Sequence, residues 1–311
     1  MAEKPALAGR LRLAGPGWIR ARVRVRGTEV WAGYLFVLPV FVLYVVFQFG
    51  PAVAAFLLSF TNYEVGSNPQ LIGLTNYLHL FQDQTFWTSV RVTVTYTLIS
   101  VPLITLLALG LGLLLSSGLR FLATYRAVFF LPYVTSTVMA ALIWLYILDP
   151  TNQGLLNATL GAFHIQPIAW LQVPRLVLPA LALMSAWKGF GYSMMIFVAG
   201  LMSIPHVYAE AADVDGASWT QRFLHVTLPL LRPIFFFVLV IETISSFQVF
   251  DAVYVMTSGG PARASFTLVY MLYTQGFEYF NYGYACAVGV MLFLIIFGLS
   301  IAQRRLLGGE D

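Results

Sequence analysis

The sequence predicts an all-α membrane bundle, and three observations predict it: composition, long uncharged runs and the placement of arginines. Apolar residues make up 59% of the 311 positions and charged residues only 10%, with a mean hydropathy of +0.80. A water-soluble domain carries about 25% charged residues to keep its surface wetted. Too few are present here, so lipid must be the solvent for much of the surface. The single cysteine, Cys286, excludes an intramolecular disulfide framework and any multi-cysteine metal site. Within its apolar run it reads as a small buried residue. The formal charge of +4 does not mark a nucleic-acid partner, because the basic residues gather at the ends of apolar segments and act as orientation signals.

Crossing the hydrocarbon takes about 20 apolar residues at 1.5 Å rise each. Six segments meet that need: 30–60, 92–117, 127–148, 176–204, 234–256 and 283–302. The first is punctuated by Pro39 and by Gly50-Pro51. The fourth is interrupted by Lys188, and the fifth carries Glu242 and, near its outer end, Asp251. Only helices and closed barrels satisfy their backbone in hydrocarbon, and these runs are too long for barrel strands. The basic start mimics a signal peptide, but the apolar run that follows exceeds a signal core, so it is expected to stay as a helix.

Thirteen basic residues fall on one side of these spans: Lys4, Arg10, Arg12, Arg20, Arg22, Arg24, Arg26, Arg120, Arg126, Arg222, Arg232, Arg304 and Arg305. Only Arg91, Arg175 and Arg263 fall on the other. That bias predicts that both termini face the cytoplasm. The expected organisation is a basic cytoplasmic tail over 1–29, a six-helix domain over 30–307 and a short cytoplasmic tail over 308–311. The outer loops, 61–91, 149–175 and 257–282, have room for little beyond small helices.

The cytoplasmic stretch 205–232 carries the most information. Pro205 suits a first helical turn, Glu210-Ala211-Ala212 favours helix, and Asp215-Gly216 ends it. Ser218-Trp219-Thr220-Gln221 has the spacing of a capping box that starts a second short helix. Leu228-Pro229 and Arg232-Pro233 then lead into the fifth span. A compact helix–turn–helix follows, with alanines small enough to let another protein approach.

Here the sequence resembles the permeases of ABC importers. Glu210-Ala211-Ala212, Gly216 and Val226-x-Leu228-Pro229 fit their EAA-x3-G-x9-I-x-LP signature, with Val226 where isoleucine is usual. Asn76-Tyr77, Phe86-Trp87, the run 126–132, Gly154-Leu155-Leu156-Asn157 and the run 257–261 look like the carbohydrate-uptake branch, which includes the maltose permease large subunit and glycerol-phosphate permeases. The chain lacks the former's large external insertion and extra N-terminal helices. The resemblance spans about residues 31–307 and implies a type I importer fold. It makes the 205–232 loop the coupling helix for an ATPase, with Glu210, Ala211, Ala212, Asp215, Gly216, Leu228 and Pro229 as coupling residues. It also implies a second permease subunit in a heterodimer, two ATP-binding subunits that use ATP and Mg, an extracytoplasmic solute-binding protein and a bacterial or archaeal cytoplasmic membrane. No catalytic residue, cofactor or metal is expected on this chain, which has no G-x-x-x-x-G-K-[ST] loop of its own.

Charged side chains inside spans cost about 2.5–3.5 kcal/mol and mark function or a pair. Lys188 and Glu242 are the two deepest. Glu242, Ser246 and Val249 fall at i, i+4 and i+7, one face of a helix. The resemblance places Lys188, Gly189, Tyr192, Glu242, Ser246 and Val249 at positions that contact sugar in the maltose relative, which has uncharged residues where Lys188 and Glu242 stand. These two are expected to line a polar cavity and neutralise one another, or else to form a purely structural ion pair. Trp187 and Tyr192 are candidate stacking surfaces for a sugar ring. The solute stays open among oligosaccharide, disaccharide, sugar alcohol and glycerol phosphate.

Weaker patterns carry less. Gly189-Phe190-Gly191 lies mid-span with no strand before it, so it is no nucleotide fingerprint. Asn157-Ala158-Thr159 matches a glycosylation triplet by chance. His79, His164, His206 and His225 lack metal-ligand spacing, while Ala285-x-x-x-Gly289 suits close helix packing. Two other classes compete. A secondary transporter would use Glu242 and Asp251 as proton or cation sites and show broken helices in matching halves, which the sequence does not display. A membrane enzyme would need an acid–base cluster, which only Lys188 with Glu242 approaches.

Overall fold

The computed structural model describes residues 27–116 and 121–307. The expected basic tail through Arg26, Arg120 and the last four residues lie outside the described residues. The chain divides into two compact units, 1–52 and 53–311.

The first unit holds α1 (Gly27–Tyr44) and a π-helical turn over Val45–Phe49. The amide of Gly50 reaches back to the carbonyl of Val45, five residues away. Pro51 has no N–H to continue the ordinary ladder, and one wide turn absorbs the defect without ending the helix. The helix resumes as α2 (Gly50–Leu58).

The second unit is built on α4 (Gln84–Ser116), which follows the short α3 (Thr75–Gln82). At 33 residues α4 is long enough to cross the membrane and project beyond it. It runs against α8 (Pro174–Ser203), the principal helix pair of the bundle. Between them lie α5 (Leu122–Val134), α6 (Thr137–Ile147) and the small outer helix α7 (Leu155–Gly161). After α8 come α9 (His206–Val214), α10 (Trp219–Arg222), a π turn over Phe223–Thr227 and α11 (Leu228–Leu230). Next come α12 (Arg232–Phe247), α13 (Asp251–Met256), α14 (Leu268–Tyr273) with a π turn at Thr274–Glu278, and α15 (Tyr282–Leu307).

Among the described residues, four helical stretches are long and apolar enough to span a membrane: Gly33–Leu58, α4, α8 and α15. Two bent pairs bring the number to six if each counts as one span: α5 with α6 at 95°, and the α10–α11 segment with α12 at 68°. Large apolar side chains line the outer face of α15, with Phe293, Phe297 and Leu294 at least half exposed. In water such a surface would drive association; in lipid it is the solvated face.

Two of the expected spans are not continuous. The 127–148 run breaks at Thr135, which is extended, and at Ser136, which precedes the first turn of α6. Pro132 supplies no amide to the preceding turn, and the Thr135 hydroxyl takes the Pro132 carbonyl at 2.6 Å. The 234–256 run breaks after Phe247, and Asp251 opens a separate short helix instead of lying near the end of a long one. Glycines set the closest approaches. A Cβ on Gly191 would strike the Phe129 carbonyl, and one on Gly112 would stand 3.0 Å from the Phe197 Cβ. The Gly189-Phe190-Gly191 run thus serves helix packing through Gly191. Ala285 and Gly289 face Gly276 and Leu272 across the α14–α15 contact. Cys286 is half-buried instead of fully buried.

Asn157 is the hinge-pin of the outer 149–175 loop. Its amide donates to the carbonyls of Asp149 (2.9 Å) and Ile168 (3.0 Å), and its oxygen accepts from the Ile168 amide and the Trp170 indole, both at 3.1 Å. The side chain is fully buried, which closes it to glycosylation. Asn157→Leu leaves two carbonyls and two donors unmatched and should cost about 2–4 kcal/mol, read as a fall in the thermal midpoint of the detergent-solubilised protein. An unchanged midpoint would mean that the loop folds without this hub.

Candidate functional site

The two helix breaks build the site. A helix that stops leaves its last carbonyls without donors, and backbone irregularity inside a bundle persists only where it lines a cavity or is buried. At the end of α5 the free Tyr133 carbonyl receives the Lys188 ammonium at 3.1 Å. Lys188 thus sits at a helix C-terminus, where the macrodipole favours a cation. It also stands 5.5 Å over the Tyr133 ring, in cation–π range. The Tyr133 ring in turn stacks on Tyr192 at 4.9 Å and 17°.

The opposite wall comes from α12 and its break. Glu242 is buried and accepts a hydrogen bond from Ser193 of α8 at 2.5 Å. One turn further on, Ser246 shares a hydrogen bond with Ser100 of α4 at 3.0 Å. Tyr96 of α4 donates to Ser185 at 2.7 Å. Three helices are thereby tied by polar bonds around a cavity of about 290 Å³.

Lys188, Gly189, Tyr192, Glu242, Ser246 and Val249 all line that cavity. The reason differs for Val249. Glu242 and Ser246 share one face of α12, but α12 ends at Phe247, so Val249 is delivered by the break and not by helical period. Lys188 and Glu242 are not paired with one another: the lysine is held by Tyr133 and the glutamate by Ser193. The carboxylate that acts on Lys188 electrostatically is Asp251, itself a lining residue. Mutual neutralisation and the structural ion pair are both corrected by this arrangement. Trp187 turns away and packs 6.0 Å from Trp144 in the apolar core, so it offers no stacking surface to the cavity.

Tyr96, Tyr133, Ser193 and Phe250 went unmarked in the sequence. Tyr133 carried a signal: it follows Leu131-Pro132 and precedes Thr135-Ser136-Thr137, a proline and three β-branched or hydroxyl residues where a helix is fragile. The broken helices that the sequence did not display are present at both walls.

At the other end of α12 the 205–232 stretch folds as a compact helix–turn–helix. Pro205 precedes the first turn of α9, and Ser218 with Gln221 forms the reciprocal capping box. Gly216 has φ +72°, and the amides of Gly216 and Ala217 return to the carbonyls of Asp213 and Ala212 at 3.1 and 2.9 Å. This is a Schellman closure, which needs a left-handed residue at Gly216. Asp213 pairs with Arg222 at 2.9 Å and ties α9 to α10. Ala212 faces inward, Leu228 is half-buried, and Glu210, Ala211, Asp215 and Pro229 remain exposed.

A helical bundle with a polar cavity between broken helices, and a rigid hairpin at the end of the helix that lines it, defines a multi-pass membrane permease. Residues 92–307 match the family described as binding-protein-dependent transport system inner membrane component, and the chain belongs to that family. Among similar proteins is the probable ABC transporter permease protein YesP of Bacillus subtilis, 41% identical over 85% of this chain and 86% of its own. The trehalose/maltose transport system permease protein MalF of Thermococcus litoralis is 32% identical over 91% and 95%. The sn-glycerol-3-phosphate transport system permease protein UgpA of Agrobacterium fabrum is 34% identical over 88% and 93%. In three dimensions the fold is that of a chain in a bacterial alginate ABC transporter solved with a periplasmic protein, at TM-score 0.79 and 22% identity, covering 90% of this chain and 94% of that one. Membership in this family decides against the secondary transporter.

Proposed function

We propose that this chain is one permease subunit of an ATP-driven importer for a sugar-like solute, and that the cavity between α8 and α12 is where it holds that solute. One observation carries the reading. The cavity combines a stacked tyrosine pair with a lysine, a glutamate and serine hydroxyls, all held at fixed distances by helix ends and by each other. A sugar presents apolar C–H faces and a rim of hydroxyls, and such a site answers both. The transport functions of the relatives, trehalose/maltose and sn-glycerol-3-phosphate, support the same class.

The 205–232 hairpin is proposed as the contact to the ATPase, with Glu210 and Asp215 on its exposed side. Rigid closure of α9 onto α10 lets a push on the hairpin move α12 and with it one wall of the cavity. The importer needs a second permease subunit, two ATP-binding subunits that consume ATP and Mg, and an extracytoplasmic binding protein. It belongs in a bacterial or archaeal cytoplasmic membrane with both termini inside. No cofactor or metal is assigned to this chain.

The test is purification of the tagged chain from its native membrane, followed by reconstitution. A nucleotide-binding subunit and a second permease should co-purify, and the proteoliposomes should take up sugar only with ATP and the binding protein. A chain that comes out alone and transports with an ion gradient would refute the reading.

A further inference from the structure

An unbroken file of aromatic rings leads out of the cavity. Phe250, which lines it, stacks on Tyr254 at 5.3 Å and 27°, and Tyr254 meets Tyr273 at 5.2 Å. Tyr273 stacks on Phe277 at 5.5 Å and 22°, Phe277 meets Tyr282 at 6.3 Å, and Tyr282 stacks on Tyr63 at 5.7 Å and 28°. The order follows from two helical repeats: Phe250 and Tyr254 are four apart at α13, and Tyr273 and Phe277 are four apart across α14 and its π turn. The file lies at the end of the bundle opposite the 205–232 hairpin, because α12 separates the two. One side of it is open, with Tyr254 44% and Phe277 59% exposed.

Two features set this file apart from an aromatic belt that merely faces lipid. It is continuous with the cavity through Phe250, and the charged residues next to its rings in the chain, Glu64, Asp251 and Glu278, are all acidic. Acidic side chains contribute little to the orientation of membrane spans, so these carboxylates are not explained as topogenic signals. Carboxylates beside tyrosine hydroxyls instead accept hydrogen bonds from a polyhydroxylated ligand. Size points the same way. The cavity, at about 290 Å³, is at the small end of ligand sites, which run about 300–1,000 Å³, so a longer chain of sugars must extend beyond it.

Building on the reading of this chain as a sugar importer, we propose that the Phe250–Tyr63 file is a binding track for an extended oligosaccharide, whose successive rings lie on successive aromatic side chains before the leading unit enters the cavity. Sugar C–H groups pack on the negative faces of aromatic rings, and ring spacings of 5.2–6.3 Å are of the order of the repeat of a pyranose chain. The solute class is thereby narrowed to oligosaccharides, away from sugar alcohols and glycerol phosphate.

The experiment uses the complete importer in proteoliposomes and two length series, malto- and arabino-oligosaccharides from disaccharide to hexasaccharide. In Tyr254→Leu/Phe277→Leu, uptake of the hexasaccharide should fall about tenfold while that of the disaccharide stays within about twofold of the parent. Leucine keeps apolar bulk, so the fold is preserved while the flat faces are lost. An equal fall at every length, or none, overturns the track. Loss of the second permease from the purified variant also overturns it, by making the file a subunit interface. If the parent importer takes up no sugar of any length, the importer reading itself fails, and the track with it.

Discussion

Replacing Gly189 with phenylalanine should abolish transport without weakening the protein. Gly189 stands on α8 between Lys188 and Tyr192, and a Cβ placed there meets only the Ile104 Cδ1, at 3.7 Å. Nothing in the backbone forbids a side chain. Glycine inside a helix is about 0.5–1 kcal/mol less favourable than alanine, so a larger residue gains helix propensity as it fills the space. The space it fills is the cavity, and a ring comparable to a sugar unit leaves little of about 290 Å³ for solute. Uptake should drop by about a hundredfold or to background, with expression, thermal midpoint and subunit composition unchanged. The neighbouring Gly191 makes an internal control. There a Cβ would strike the Phe129 carbonyl, so Gly191→Phe should damage folding and assembly together. If Gly189→Phe transports normally, the cavity is not the route.

What could be read in the sequence was what depends on composition and local chemistry. The apolar runs, the capping box at Ser218 and the helix stop at Gly216 each follow from neighbours within a few residues; four of the six runs are single long helices in the structure, and the capping box and the helix stop are both present. The breaks in two of the runs did not follow, because apolar content says where a chain can cross and not whether it crosses as one helix. Proline at 132 lowers the cost of a break, but what retains the break is Lys188, fifty-five residues away, donating to the carbonyl it frees. The relation between Lys188 and Glu242 failed for a similar reason. Opposite charges in neighbouring spans were expected to find each other, and each instead found a nearer hydrogen-bond partner, Tyr133 and Ser193. Val249 reached the cavity through geometry that its spacing did not describe. Trp187, judged by residue type, went to the core.

Gly216→Val should uncouple the hairpin from its partner, and Gly216→Asn should not. The φ of +72° at Gly216 is left-handed, a conformation that costs an L-residue about 1–2 kcal/mol and is a genuine outlier for a β-branched side chain. Asparagine tolerates it and substitutes for glycine at helix ends. Space is not the issue, since no atom lies within 4 Å of a Cβ built there. A valine therefore leaves every packing contact possible but strains the closure that returns the amides of Gly216 and Ala217 to Asp213 and Ala212. The angle between α9 and α10 is lost, and with it the presentation of Glu210 on one rigid body; Asp213–Arg222, part-exposed at both ends, is worth only about 0–1 kcal/mol and cannot hold the hairpin alone. Retention of the ATP-binding subunits on the tagged chain should fall about tenfold in Gly216→Val, the factor that 1.4 kcal/mol sets, and transport should fall with it. Gly216→Asn should stay close to the parent in both. If asparagine were as damaging as valine, the glycine would be a contact surface for the ATPase and not a conformational requirement. If valine were harmless, the 205–232 hairpin would not be the site where the ATPase is held.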